Sequence, residues 1–285
     1  MIRIHDSLSG QKQDLRPIRP GEVRMYLCGD TVYDYCHIGH ARSKVAFDVV
    51  RRYLMHRGFK VIFVRNITDI DDPLLERAHR DGIEWSDLAE QQIDLFRSDM
   101  VNLRIIPPAH YIGAVEAIPL VITAISDLGE QSSIYPVDND FYFSNRKDAK
   151  FGKRSHLSEE QMLKIFSERG GDPGRAGKVD PLDCLVWMSQ RVNEPGWDSE
   201  LGKGRPGWHI ECTAIALEYL DPSDLEETLI DIQGGGSDLI FPHHEMCAAQ
   251  AHVMTGKELA HSYVHTGMIG LDGEKMSKSK GNLVF

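Results

Sequence analysis

Arg24-Met25-Tyr26-Leu27-Cys28-Gly29 is a short apolar run that stops at a glycine, the pattern of a buried strand ending in a turn. Ser43-Lys44-Val45-Ala46-Phe47-Asp48-Val49-Val50-Arg51-Arg52-Tyr53-Leu54 follows with apolar residues at helical spacing. Residues 59–66, FKVIFVRN, then read as a second strand. Strand, helix, strand implies a parallel βαβ unit with a right-handed crossover. Residues 73–103 are helical by period. The pattern returns at Thr228-Leu229-Ile230-Asp231-Ile232-Gln233, a strand running into Gly234-Gly235-Gly236, and again over residues 263–269. The middle differs: Pro107-Pro108 punctuates it, residues 138–145 look like a hairpin, and residues 170–174 are a loop by their turn residues. The reading is one α/β domain split by an insertion. Residues 1–111 form its first half, 112–200 the inserted subdomain and 201–285 the second half.

Composition narrows the class. Hydrophobic content of 41% beside 26% charged residues is that of a soluble globular chain. No apolar run reaches the length of a membrane span. The start, Met1-Ile2-Arg3-Ile4-His5-Asp6, lacks a signal-peptide core, so the expected location is the cytoplasm. A net charge of −11 argues against a broad nucleic-acid surface. The five cysteines, an odd number, favour thiols or metal ligation over a disulfide framework. Cys36 and Cys184 are expected to be ordinary free cysteines.

Three motifs carry chemistry. His37-Ile38-Gly39-His40 sits just before the helix, where imidazole donors and a helix N-terminus can hold polyphosphate. Two histidines capping a helix is the plainer reading. Gly234-Gly235-Gly236-Ser237-Asp238 follows a strand; the glycines let a ligand lie against the backbone, and Asp238 suits a ribose hydroxyl or an ammonium. Lys275 and Lys278 flank Ser277 in Lys275-Met276-Ser277-Lys278-Ser279, where lysines of a loop can neutralise β- and γ-phosphates. Cys28, Cys212, His243 and Cys247 form a fourth, dispersed set. Cysteine and imidazole suit Zn²⁺, and His243 and Cys247 share one face if their segment is helical.

The pair His37-Ile38-Gly39-His40 and Lys275 to Ser279 resembles the nucleotide-binding signatures of class I aminoacyl-tRNA synthetases. Those enzymes attack the α-phosphate of ATP, with Mg²⁺, to make an aminoacyl-adenylate. Further segments look like cysteinyl-tRNA synthetases: Tyr26-Leu27-Cys28-Gly29, Thr31-Val32-Tyr33-Asp34, residues 66–72, 204–212 and 234–245. The resemblance implies a Rossmann-like class I nucleotide-binding fold with an inserted connective subdomain. It implies one Zn²⁺ per chain on Cys28, Cys212 and His243, whose open position takes the thiolate of substrate cysteine. Serine's hydroxyl is a poorer ligand for such a metal. The same resemblance implies that Trp208 walls the amino-acid pocket, that Asp238 holds the ammonium, and that Gly29, Thr31, Thr68, Ser237 and the triple glycine line the cysteine and ATP sites. Residues 73–78, 95–100, 168–173 and 267–282 look more like the cysteine ligases of the mycothiol pathway, which pass cysteine to the amine of glucosaminyl-inositol.

Two departures bear on the acceptor. Cysteinyl-tRNA synthetases read His-His-Glu-Asn-Glu where this chain has His243-His244-Glu245-Met246-Cys247, so their glutamate ligand is replaced by Cys247. The sequence stops at Phe285, so no anticodon-binding domain is expected in it, whereas the first seventy residues, 31–42 above all, look more like the tRNA synthetase than the ligase. The expected partners are ATP, L-cysteine and an amino-sugar acceptor, with tRNA the alternative. A non-catalytic paralogue should have lost some of His37, His40, Lys275, Cys28 and Cys212, and all are present. A closed structural zinc site with Cys247 as fourth ligand is the remaining reading.

Overall fold

The computed structural model describes residues 2–220, 228–276 and 283–284. The chain opens with a hairpin of β1 (Arg3–Asp6) and β2 (Gln11–Asp14), then enters β3 (Glu22–Leu27), α1 (Ile38–His56) and β4 (Lys60–Ile67). Helices α2 (Asp72–Asp81) and α3 (Trp85–Asn102) lead to β5 (His110–Gly113) and α4 (Ile118–Glu130). The insertion holds β6 (Ile134–Val137), β7 (Asp140–Phe143), α5 (Glu159–Glu168), β8 (Cys184–Ser189) and β9 (Gly204–Pro206). The chain returns through α6 (Trp208–Leu220), β10 (Thr228–Gly236), α7 (Glu245–Thr255) and β11 (Glu258–Thr266), ending in a short ribbon of β12 (Gly270–Leu271) and β13 (Glu274–Lys275).

The central sheet is parallel in the order β11-β10-β3-β4-β5. Alternation along β3 explains its two faces. Val23, Met25 and Leu27 pack against Phe47 and Leu54 of α1. Tyr26 and the following Cys28 point the other way, into a core with Cys212 and Ile215 of α6 and Cys247 and Ala248 of α7.

The helices differ from their sequence reading for local reasons. Helix α1 starts five residues before the expected Ser43, because His37 and His40 form a capping box at its N-terminus. Residues 73–103 divide into α2 and α3, since Gly82 adopts φ 65° and ends α2 with a left-handed cap. The hairpin expected at 138–145 is β6–β7, turning where Asp138 takes φ 55°. The last strand of the central sheet, β11, runs over Glu258–Thr266, earlier than the expected 263–269.

Pairing, rather than composition, sets the edges of the insertion. β5 straddles residue 112 and belongs to the central sheet, whereas β9 lies beyond residue 200 and pairs with β8. The four-stranded antiparallel sheet β6-β7-β8-β9 therefore reaches to Pro206. No described helix is long and apolar enough to cross a membrane.

Candidate active site

Strands β3 and β10 lie side by side, but their connections leave in opposite directions: β3 feeds α1 and β4, while β10 feeds α7 and β11. A crevice opens at the carboxyl ends of such a pair, where ligands bind in open parallel sheets. The Cys28 amide donates to the Gly234 carbonyl at 3.2 Å, fixing the two strand ends together.

Cys28 at this edge, Cys212 on α6 and His243 in the turn before α7 converge, with one ligand atom of each within 4.8 Å of the others, and all three are buried. Burial raises the Cys212 thiol, yet hydrogen bonding with Cys28 and the facing His243 outweigh it and hold it well below the ordinary thiol value. Burial lowers His243, and the charges of Cys247 and Cys212 carry it well above the imidazole value. Cys28 is pushed up, first by burial and then by Cys212. Two sulfurs and one imidazole nitrogen form a donor set that suits Zn²⁺ with a fourth position left to a ligand. Cys247 stands outside the group. Its thiol donates to the His209 carbonyl at 3.3 Å and lies 3.8 Å from His243 Nε2.

A shell of polar side chains surrounds the three. His209 Nδ1 lies 2.9 Å from His243 Nδ1, and Trp208 stacks on His243 with ring centroids 4.3 Å apart. Gln233 Nε2 donates to Cys28 Sγ at 3.2 Å, and His244 Nε2 reaches the same sulfur at 3.3 Å. His244 Nδ1 meets His265 Nε2 at 2.7 Å, and His265 Nδ1 meets Ser7 Oγ at 2.8 Å. Burial and the neighbouring His243 lower His209, so its ring is neutral.

Capping and ligand-directed roles coincide at the first histidine motif. His37 Nδ1 accepts from the Gly39 amide at 3.1 Å, and His40 Nδ1 accepts from the His37 amide at 3.3 Å. Accepting at Nδ1 assigns the proton of each neutral ring to Nε2, a donor suited to phosphate oxygen. The later motif comes back to this helix end. Met276 is buried, its terminal methyl 3.8 Å from where a Gly39 Cβ would stand, and the Ile38 amide donates to the Val284 carbonyl at 2.9 Å. Lys275 joins β13 through its backbone. Ser277, Lys278 and Ser279 lie outside the described residues.

Thr31 and Thr68 form an isolated parallel bridge beyond β3 and β4, and Asn66 Nδ2 donates to Thr68 Oγ1 at 3.4 Å. Gly29 must lack a side chain, because a Cβ there would stand 1.9 Å from the Asn66 carbonyl oxygen. Gly234 and Gly235 are filled by protein: a Cβ would meet Phe47 at 2.4 Å and His244 at 2.9 Å. Their freedom serves packing at the strand end. Ser237 and Asp238 form the turn after Gly236, and the Asp238 carbonyl accepts from Arg169 of the insertion.

The sequence reading missed several residues. Asp30 pairs with Lys44 at 2.8 Å and Arg65 at 2.9 Å, with both cations buried. No short motif joins residues from three elements. His209 is missed as well, although a signal for it exists: it precedes Cys212 by three positions on α6 and so shares its face.

The family model of the tRNA synthetases class I (C) catalytic domain matches residues 14–285. The chain belongs to this family. Across its full length it is 55% identical to a relative from Kribbella flavida named L-cysteine:1D-myo-inositol 2-amino-2-deoxy-alpha-D-glucopyranoside ligase, of which it covers 69%. It is 54% identical to the ligase of that name from Thermomonospora curvata, of which it covers 67%. Among solved structures, a Mycobacterium tuberculosis methionyl-tRNA synthetase in complex with methionyl-adenylate superposes with a TM-score of 0.64 at 18% identity, over 93% of this chain and 60% of that one. That likeness establishes the synthetase fold.

Proposed function

We propose that this chain activates L-cysteine with ATP and transfers it to the amine of an amino-sugar inositol, glucosaminyl-inositol in kind. The observation that carries the reading is the convergence of two thiols and an imidazole at the switch point of a class I synthetase fold, in a chain over half identical to ligases of that name. Cys28, Cys212 and His243 would hold Zn²⁺, which when bound supplies a soft ligand position that prefers a thiolate to a hydroxyl. Trp208 walls the amino-acid side of the crevice and Asp238 receives the ammonium. His37 and His40 direct Nε2–H donors at the ATP phosphates, and the charges of Lys275 and Lys278, with Mg²⁺, would neutralise those phosphates.

In the first step a carboxylate oxygen of cysteine attacks the α-phosphorus. The bond to the β-phosphate oxygen breaks, and pyrophosphate leaves with the electron pair. In the second step the amine nitrogen attacks the activated carbonyl carbon. The carbon–oxygen bond to AMP breaks, AMP departs with that pair, and the amine gives up one proton. Positioning and electrostatics carry both steps.

The test is cysteine-dependent ATP–pyrophosphate exchange by the zinc-loaded protein, followed by paired trials of glucosaminyl-inositol and cysteine tRNA. Exchange with amide formation is expected. Exchange with efficient tRNA charging and no amide would select the tRNA reading, and no exchange at all would reject cysteine activation.

A further inference from the structure

A cavity of about 580 Å³ opens between the insertion and the carboxyl edge of the sheet. That size suits a small molecule. Thr31, Thr68 and Trp208 border it on the side of the amino-acid pocket, and the loop after α5 contributes Arg169 and Asp172. Glu211 also lines it, one residue before Cys212. The residue is 2% exposed, and its Oε2 has no hydrogen-bond partner among the described residues. A buried carboxyl oxygen left unpaired is costly and calls for a partner.

Nothing built into the cavity supplies that partner. Arg205 is engaged by Asp72 and Glu194, Arg175 by Asp140 and the Tyr142 hydroxyl, and Arg169 by the Asp238 and Phe241 carbonyls. Asp71 borders the same cavity, where it caps α2 through the Asp72 amide at 2.9 Å. Carboxyls at the meeting point with the amino-acid pocket disfavour phosphate and favour a positively charged or hydrogen-donating group.

We propose that this cavity is the acceptor site: it takes a small polyol bearing a primary amine, with Glu211 and Asp71 receiving the amine beside Trp208. The inference rests on the ligase reading and deepens it by locating the second substrate. The amine is held next to where the activated carbonyl stands, and the sugar hydroxyls extend toward Asp172 and Arg169.

The experiment uses the zinc-loaded full chain with glucosaminyl-inositol as probe and its N-acetyl derivative, which lacks the amine, as comparator. Asp71→Asn and Glu211→Gln are each expected to raise the KM for glucosaminyl-inositol at least tenfold, and to lower amide formation far more than exchange. The N-acetyl derivative should compete at least tenfold more weakly than glucosaminyl-inositol. Because Glu211 adjoins a metal ligand, zinc content is measured in each variant, and Asp71→Asn carries the test if Glu211→Gln loses metal. Unchanged KM in Asp71→Asn, or equal competition by the N-acetyl derivative, overturns the proposal. If the unaltered chain performs no exchange, the ligase reading has failed. Calorimetric titration of glucosaminyl-inositol into the unaltered chain and Asp71→Asn then decides the cavity by itself: matching affinities, or no binding to either, reject it.

Discussion

His209 and His243 face each other through their Nδ1 atoms, 2.9 Å apart in a buried setting. One ring must donate and the other accept. A His243 that gives its Nε2 lone pair to a metal carries its proton on Nδ1 and donates to His209. With a metal on His243, the contact would fix both the tautomer and the ring plane of that histidine, as outer partners of metal-bound histidines do. His209→Ala should weaken zinc affinity by about 10- to 100-fold, the usual cost of losing such a partner. Chelator competition measures it; unaltered affinity would mean that Trp208 stacking alone orients His243.

Cys247 offers the contrasting case. Its thiol bonds the His209 carbonyl and stays out of the three-atom group. Cys247→Ser keeps a donor for that carbonyl, so zinc should be retained within about threefold, on the order of one ordinary hydrogen bond or less. Absorption of the cobalt-substituted protein should keep the intensity of two thiolates. Release of the metal from this variant, with no change in the cobalt spectrum of the unaltered protein on adding cysteine, would identify a closed structural site instead. Cys212→Ser removes a converging ligand, and should strip zinc and abolish cysteine-dependent exchange together.

Local signals carried most of the fold. The apolar run ending at Gly29, the helical period over residues 43–54 and the triple glycine each mark one element, and together they marked the two halves around an insertion. What stayed hidden was pairing between distant segments. β9 joins β8 across residue 200, and Asp30 meets cations from α1 and β4, through contacts that leave no periodicity in the chain. Spacing marks glycines 234 and 235 but does not name Phe47 and His244, the side chains that an added Cβ there would meet.

Gly29→Ala tests the closeness of β3 and β4 at the site. The added Cβ would sit 1.9 Å from a backbone oxygen of Asn66, which cannot rotate away, and the Gly29 amide donates to Asn66 Oδ1 at 2.6 Å. Overpacking of this kind costs about 1–3 kcal/mol. A melting temperature several degrees lower is expected. Gly174→Ala is the control: nothing lies within 4 Å of its Cβ position, and its effect should stay within about 0.5 kcal/mol. Equal melting of the two variants would show that the strand end yields freely.

The Asp30 cluster sets a pH dependence. Burial raises the Asp30 carboxyl, but the charges of Lys44 and Arg65 outweigh it and hold the group below its ordinary value. The folded pKa is thus lower than the unfolded one, about 3.9. Its stabilising contribution is present in full above the unfolded pKa and is lost as pH falls through that value toward the folded one. Asp30→Asn leaves Lys44 and Arg65, 4% and 5% exposed, without their carboxylate. Breaking a buried pair from one side costs about 3 kcal/mol at neutral pH. Below about pH 4 the unfolded chain takes up a proton at this carboxyl while the folded protein still holds it ionised, so the stabilisation shrinks and the two melting temperatures should converge. Thermal melts of both proteins between pH 7 and the lowest pH at which they remain folded measure the gap. A gap that stays constant on acidification would show that Asp30 contributes through shape and hydrogen bonding alone, and that its charge does not hold the two cations beside the switch point.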